Sequence, residues 1–143
     1  MKHFKIFIEL TRLNKPIGFM LLFWPCAWGL TYAHNFIQNG SLYFYYLILF
    51  FLGSLLMRSA GCIFNDIVDK DFDKKVSRTK KRPIASKKIE VSHAFFYVII
   101  LCGLAFLILV QFNFLTIILG LGSMFLAFAY PFMKRITYWP QLF

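Results

Sequence analysis

Acidic side chains are nearly missing from this chain of 143 residues: six Asp and Glu stand against 16 Lys and Arg, a formal net charge of +10. None of the six lies beyond Glu90. Charged residues of both signs together make up only 15% of the chain, against about a quarter in a soluble domain. With 59% hydrophobic residues the chain is too apolar for a soluble globule, and far too apolar for a disordered one. Cysteine is scarce as well. Cys26, Cys62 and Cys102 are odd in number, far apart and each in or beside an apolar run. That excludes a disulfide framework and a CxxC metal pair, and leaves small buried side chains. His3, His34 and His93 are too dispersed to be assembled into a metal site. The basic and apolar residues occupy separate blocks, which points to a membrane rather than to nucleic acid.

Four stretches are long and apolar enough to cross a bilayer core of about 30 Å, which needs roughly 20 residues per helix. They are 17–37, bent by Pro25; 42–64, with Arg58 near its second end; 92–110; and 112–133. The polar turn Gln38-Asn39-Gly40-Ser41 joins the first pair, and little more than Gln111 joins the last pair. The small residues Gly120, Gly122 and Ser123 suit close helix packing.

Lys2, Lys5, Arg12 and Lys15 precede the first stretch, nine Lys and Arg lie from Lys70 to Lys88, and Lys134 and Arg135 follow the fourth. The two short turns carry none, so all basic segments fall on one face. The positive-inside rule places that face in the cytoplasm or its topological equivalent. A secretory signal peptide is excluded: the first apolar run is too long, holds two Trp and a Pro, and has no small-residue cleavage site. Residues 4–10 read as a short amphipathic helix at the interface or as an ordinary flank.

Four of the six acids, Asp66, Asp69, Asp71 and Asp73, fall within eight positions where the second stretch leaves the membrane. If the helix continues, Asp66, Asp69 and Asp73 share a face within about 60°, with Asn65 and Arg58 close to it and Asp71 turned away. Like charges so spaced want a cation. Carboxylates and an amide oxygen suit Mg²⁺, which is usually shared with substrate phosphates. The basic run Val76 to Pro83 follows, with Arg78 and Arg82 able to hold phosphate oxygens in bidentate fashion. Carboxylates, metal and arginines at a membrane surface fit activation of a lipid pyrophosphate. Lys74, Lys75, Lys87 and Lys88 read as topological or lipid contacts, and Arg58 either snorkels, pairs with the acids or reaches a phosphate.

The string Asn65-Asp66-x-x-Asp69-x-x-x-Asp73, followed by Arg78-Thr79-x-x-Arg82-Pro83, resembles the first aspartate-rich motif of the UbiA family of intramembrane prenyltransferases. Lys15-Pro16-Ile17-Gly18 with Trp24-Pro25, Met57 to Cys62, and Tyr130 to Arg135 with Pro140-Gln141 resemble its 4-hydroxybenzoate branch, which serves ubiquinone biosynthesis. The resemblance implies an all-α membrane protein whose four helices are the first part of a nine-helix bundle around a cavity. It implies transfer of a polyprenyl chain from polyprenyl pyrophosphate to 4-hydroxybenzoate, meta to the carboxylate, with Mg²⁺. Asn65, Asp66, Asp69 and Asp73 then bind the metal and pyrophosphate, and Arg78 and Arg82 the phosphates. Arg135 and Lys134 become candidates for the carboxylate of the aromatic acid. The implied location is the bacterial inner membrane, or the mitochondrial one, with the aspartate-rich segment 65–91 on the cytoplasmic side.

The likeness covers about the N-terminal half of the family, and the family's second aspartate-rich motif has no counterpart here. The expectation is a truncated or split enzyme, with a C-terminal half supplied by another chain. The alternative is a non-catalytic helix bundle, or a degenerate fragment, that binds lipid pyrophosphate.

Overall fold

The computed structural model describes the backbone of residues 2–136, and the side chains of 4–36, 38–133 and 136. Six helices follow one another, with turns between them and no strand among the described residues. Helix α1 (Lys2–Thr11) carries Ile6, Phe7 and Leu10 on one side, the spacing of an amphipathic helix. It ends where Arg12 takes a left-handed backbone, φ 56°. A turn closed by Lys15 N–H donating to Arg12 O (2.9 Å) leads to Pro16, which fits the start of a helix because it has no N–H to leave unpaired.

Helix α2 (Ile17–Ile37) stops at left-handed Gln38, whose N–H donates to His34 O (2.9 Å). Asn39 then caps α3 (Gly40–Val68), its side chain accepting from Leu42 N–H at 3.1 Å. The short α4 (Lys70–Asp73) follows, then a chain of turns, α5 (Val91–Leu109) and α6 (Phe114–Ile136).

Several expected boundaries move. The second apolar helix does not end at 64 but runs on to Val68 and takes in Asn65 and Asp66. At about 1.5 Å per residue its 29 residues reach about 43 Å, longer than a bilayer core, so its last turns stand at or beyond the interface. The fourth helix begins at Phe114 because Asn113 accepts from Thr116 N–H (2.9 Å) and caps it, making the α5–α6 turn four residues, 110–113. Three helices among the described residues are strongly apolar and long enough to span: α3, α5 and Phe114–Met133 of α6. Helix α2 has spanning length and no charged side chain, but Trp24, Pro25, Trp28, Tyr32, His34 and Asn35 dilute its hydropathy.

Helix α3 is the axis, packed against each of the other helices. The buried core is not central along it. Ala60 and Ile63 of α3 meet Leu10 of α1, Ile84 of the connecting turns, and Ala94, Val98 and Leu101 of α5. Phe7 meets Tyr97 edge to face (5.3 Å), and Phe64 meets Phe128 of α6 (4.7 Å). Toward the other end, Phe51 receives Phe19 and Phe23 of α2 at 5.7 and 5.4 Å. Gly120 lets α6 close on α5, since a Cβ there would lie 2.7 Å from Leu109 Cδ1. The outer faces of α2, α5 and α6 stay apolar and open, as on a surface that meets lipid or further helices.

Candidate functional site

The packed end of α3 carries the aspartates. Helical bonding is not lost at Asp69, although the regular helix breaks there. Asp69 N–H donates to Asn65 O and Asp73 N–H to Asp69 O, both at 2.9 Å. The turn is therefore carried on, and Asp66 and Asp73 remain on one side. Both are buried. Asp71 points outward as its position requires, and the Lys74 ammonium that donates to its Oδ1 (2.9 Å) holds its carboxyl below the usual range.

Two arginines from distant segments close on the buried pair. Arg82 Nη1 donates to Asp73 Oδ2 at 2.8 Å and to Asp66 Oδ1 at 3.0 Å. Arg12 Nη2 donates to the same Asp66 oxygen at 2.6 Å. Thr79 Oγ1 donates to Asp73 O (3.2 Å) and ties the basic turns to α4. Ile84, inserted in the core two residues after Arg82, anchors those turns. The basic run is thus pinned at Thr79, Arg82 and Ile84, with Arg78, Lys80 and Lys81 left exposed.

The two arginines of this cluster also border a cavity of about 1030 Å³. Arg12 and Lys15 reach it from the turn before α2, Arg58 from α3, and Arg78, Lys81, Arg82 and Lys88 from the connecting turns. Glu9 is its single acidic lining residue. Seven cations border it. Arg12 and Arg82 answer Asp66 and Asp73, and Lys88 answers Glu9 (3.7 Å). The excess positive charge that makes an anion basin thus comes from Lys15, Arg58, Arg78 and Lys81. Arg58 sits where α2 comes closest: a Cβ on Gly18 would lie 2.9 Å from its Nε. Gly18→Ala should therefore move a flexible guanidinium rather than backbone. The expected result is near-normal thermal stability with inorganic pyrophosphate bound a few-fold more weakly by titration calorimetry. Unchanged affinity would mean that Arg58 takes no part.

Of the residues singled out from sequence, Asp66, Asp73 and Arg82 come together, and Arg58, Arg78 and Arg82 line one cavity. Asn65 and Asp69 lie within the same turns, where each makes further interactions. The side chains of Lys134 and Arg135 lie outside the described residues. Arg12, Lys15, Lys81 and Lys88 escaped sequence reasoning as site residues. The nearest signal for the first two was their place beside Lys15-Pro16-Ile17-Gly18.

Among the described residues no three His, Cys, Asp or Glu side chains converge as a metal cage. Two carboxylates do converge on one cationic nitrogen, Arg82 Nη1. That donor set fits Mg²⁺, which is commonly held by one or two carboxylates with substrate phosphates completing its shell.

The UbiA prenyltransferase family model matches residues 22–143. The chain belongs to the UbiA prenyltransferase family. It is 46% identical over 137 residues to the mitochondrial 4-hydroxybenzoate polyprenyltransferase of Caenorhabditis elegans, covering 96% of this chain and 38% of that protein. To the 4-hydroxybenzoate octaprenyltransferase of Hydrogenovibrio crunogenus it is 44% identical, covering 96% and 47%. The corresponding Blochmanniella pennsylvanica enzyme is 45% identical over 134 residues, with 94% and 45% covered. The chain thus spans less than half the length of these UbiA relatives. No solved structure matches it.

Proposed function

We propose that this chain forms one wall of a membrane prenyltransferase that moves a polyprenyl chain from its pyrophosphate to 4-hydroxybenzoate for ubiquinone synthesis. The observation that carries the reading is a basin lined by seven cations, two of which, Arg12 and Arg82, also hold the buried Asp66 and Asp73 at the end of a membrane-length helix. A pyrophosphate needs such a basin, and a prenyl tail needs the apolar helices below it. Relatives named as 4-hydroxybenzoate enzymes support that acid as the acceptor.

In this reading Asp66 and Asp73, with Asn65 and Asp69 beside them, hold Mg²⁺, whose contribution is to neutralise charge on the leaving pyrophosphate. Arg58, Arg78 and Arg82 grip phosphate oxygens, and Arg135 with Lys134 orients the acceptor's carboxylate. The C1–O bond of the prenyl donor breaks with its electron pair staying on pyrophosphate. The ring carbon meta to the carboxylate bonds to C1 and releases its proton. The site faces the cytoplasm, or its equivalent in an inner membrane, as the basic segments imply.

The test is prenyl transfer in membranes of cells lacking their own enzyme. One sample expresses this chain alone, another this chain with the C-terminal half of a complete relative. Mg²⁺-dependent prenylation of 4-hydroxybenzoate in the pair is the expected outcome. No product in either sample, with both halves shown to be inserted, overturns the enzyme reading and leaves a non-catalytic helix bundle. Product from this chain alone would show that one aspartate cluster suffices.

A further inference from the structure

Arg12 is the basin residue that reaches the aspartates from the far end of the chain. It lies 54 positions from Asp66, yet its Nη2 stands 2.6 Å from Asp66 Oδ1. Its backbone is left-handed (φ 56°), a conformation unfavourable for an L-residue other than Gly, so the surrounding contacts hold it there. The same Asp66 oxygen takes Arg82 Nη1, which also takes Asp73 Oδ2. Both arginines border the basin as well, and their side chains keep about a third and a quarter of their surface exposed (33% and 25%). Each guanidinium therefore has anionic oxygen beneath it and room for anionic oxygen above it.

We infer that Arg12 and Arg82 act as exchangeable counterions, covering the carboxylates when the basin is empty and passing to phosphate oxygens when it fills. Asp66 and Asp73 then become free to take the divalent ion. Arg12 is thus a positioning residue for the carboxylates and a binding residue for the anion. This rests on the metal–pyrophosphate reading above. Metal and pyrophosphate then assist each other, and linkage requires the assistance to be equal in both directions.

The experiment follows Mn²⁺ by paramagnetic resonance on the purified full chain in lipid nanodiscs, with and without inorganic pyrophosphate. In Arg12→Gln, Mn²⁺ alone should bind about tenfold more tightly, because one charge-assisted competitor is gone. Inorganic pyrophosphate without metal should bind about tenfold more weakly. Arg12→Lys, which keeps the charge but loses the fork, should fall between. A purely structural role would weaken both ligands together, and that result, or metal binding unchanged in both variants, overturns the exchange. Absence of Mn²⁺ binding to the unaltered chain even with pyrophosphate would instead remove the metal reading itself.

Discussion

Asp66→Asn should weaken Mg²⁺-dependent binding of a non-hydrolysable prenyl pyrophosphate analogue by about 10–100-fold, while Asp71→Asn leaves it within about twofold. The two aspartates are five positions apart in an equally acidic string, but their surroundings are opposite. Asp66 is 2% exposed and holds Arg12 and Arg82 on one oxygen. Asp71 is exposed and has a lysine of its own three residues on. The amide introduced at position 66 would still accept hydrogen bonds, so the fold should persist, but it brings no charge to a divalent ion. Losing one charged ligand corresponds to a drop of about 10–100-fold in affinity. Equal losses from both substitutions would sink the argument that one face of the helix carries the site. Asp73→Asn should follow Asp66→Asn, since Arg82 ties the two together.

The second large effect is on stability. Ile63→Ala should destabilise the chain by about 2–5 kcal/mol, the range for removing most of a fully buried aliphatic side chain. Ile63 is completely buried where α1, α3, α5 and the connecting turns meet. Leu119→Ala, on the open face of α6, should change stability by no more than about 0.5 kcal/mol. Reversible unfolding in mixed micelles, followed by circular dichroism, measures both. Because Ile63 lies one turn before Asp66, its loss should also loosen the carboxylate pair. A comparable cost for both substitutions would mean that the core is spread along the bundle instead of gathered at the aspartate end.

Much of this was legible along the chain. Blocks of apolar residues separated by basic ones are a local signal, and they marked four helices and the polar turns between them. The outward turn of Asp71 and the shared side of Asp66 and Asp73 follow from 100° per residue, which short-range bonding enforces whatever the tertiary context. The amphipathic order of residues 4–10 likewise marked α1. Helix ends were harder. The chain runs helically through Asn65 and Asp66 because Arg12 and Arg82 neutralise and bury a carboxylate that by itself would favour ending the helix in water.

Sequence therefore determined the helical class, the family resemblance and the string of acids and arginines that carries the chemistry, because each is a matter of composition or spacing within a turn or two. Folding decided which cations meet which carboxylates. Arg12 reaches Asp66 across 54 positions and Arg82 across 16, distances over which no periodicity speaks. It also anchored a basic stretch by burying Ile84, and gathered the cations of three separate segments around one cavity. Those partnerships depend on which helix faces pack together. That is settled by the fit of Leu10, Ala60, Ile63, Ala94 and Val98 against one another, not by any residue's own preference.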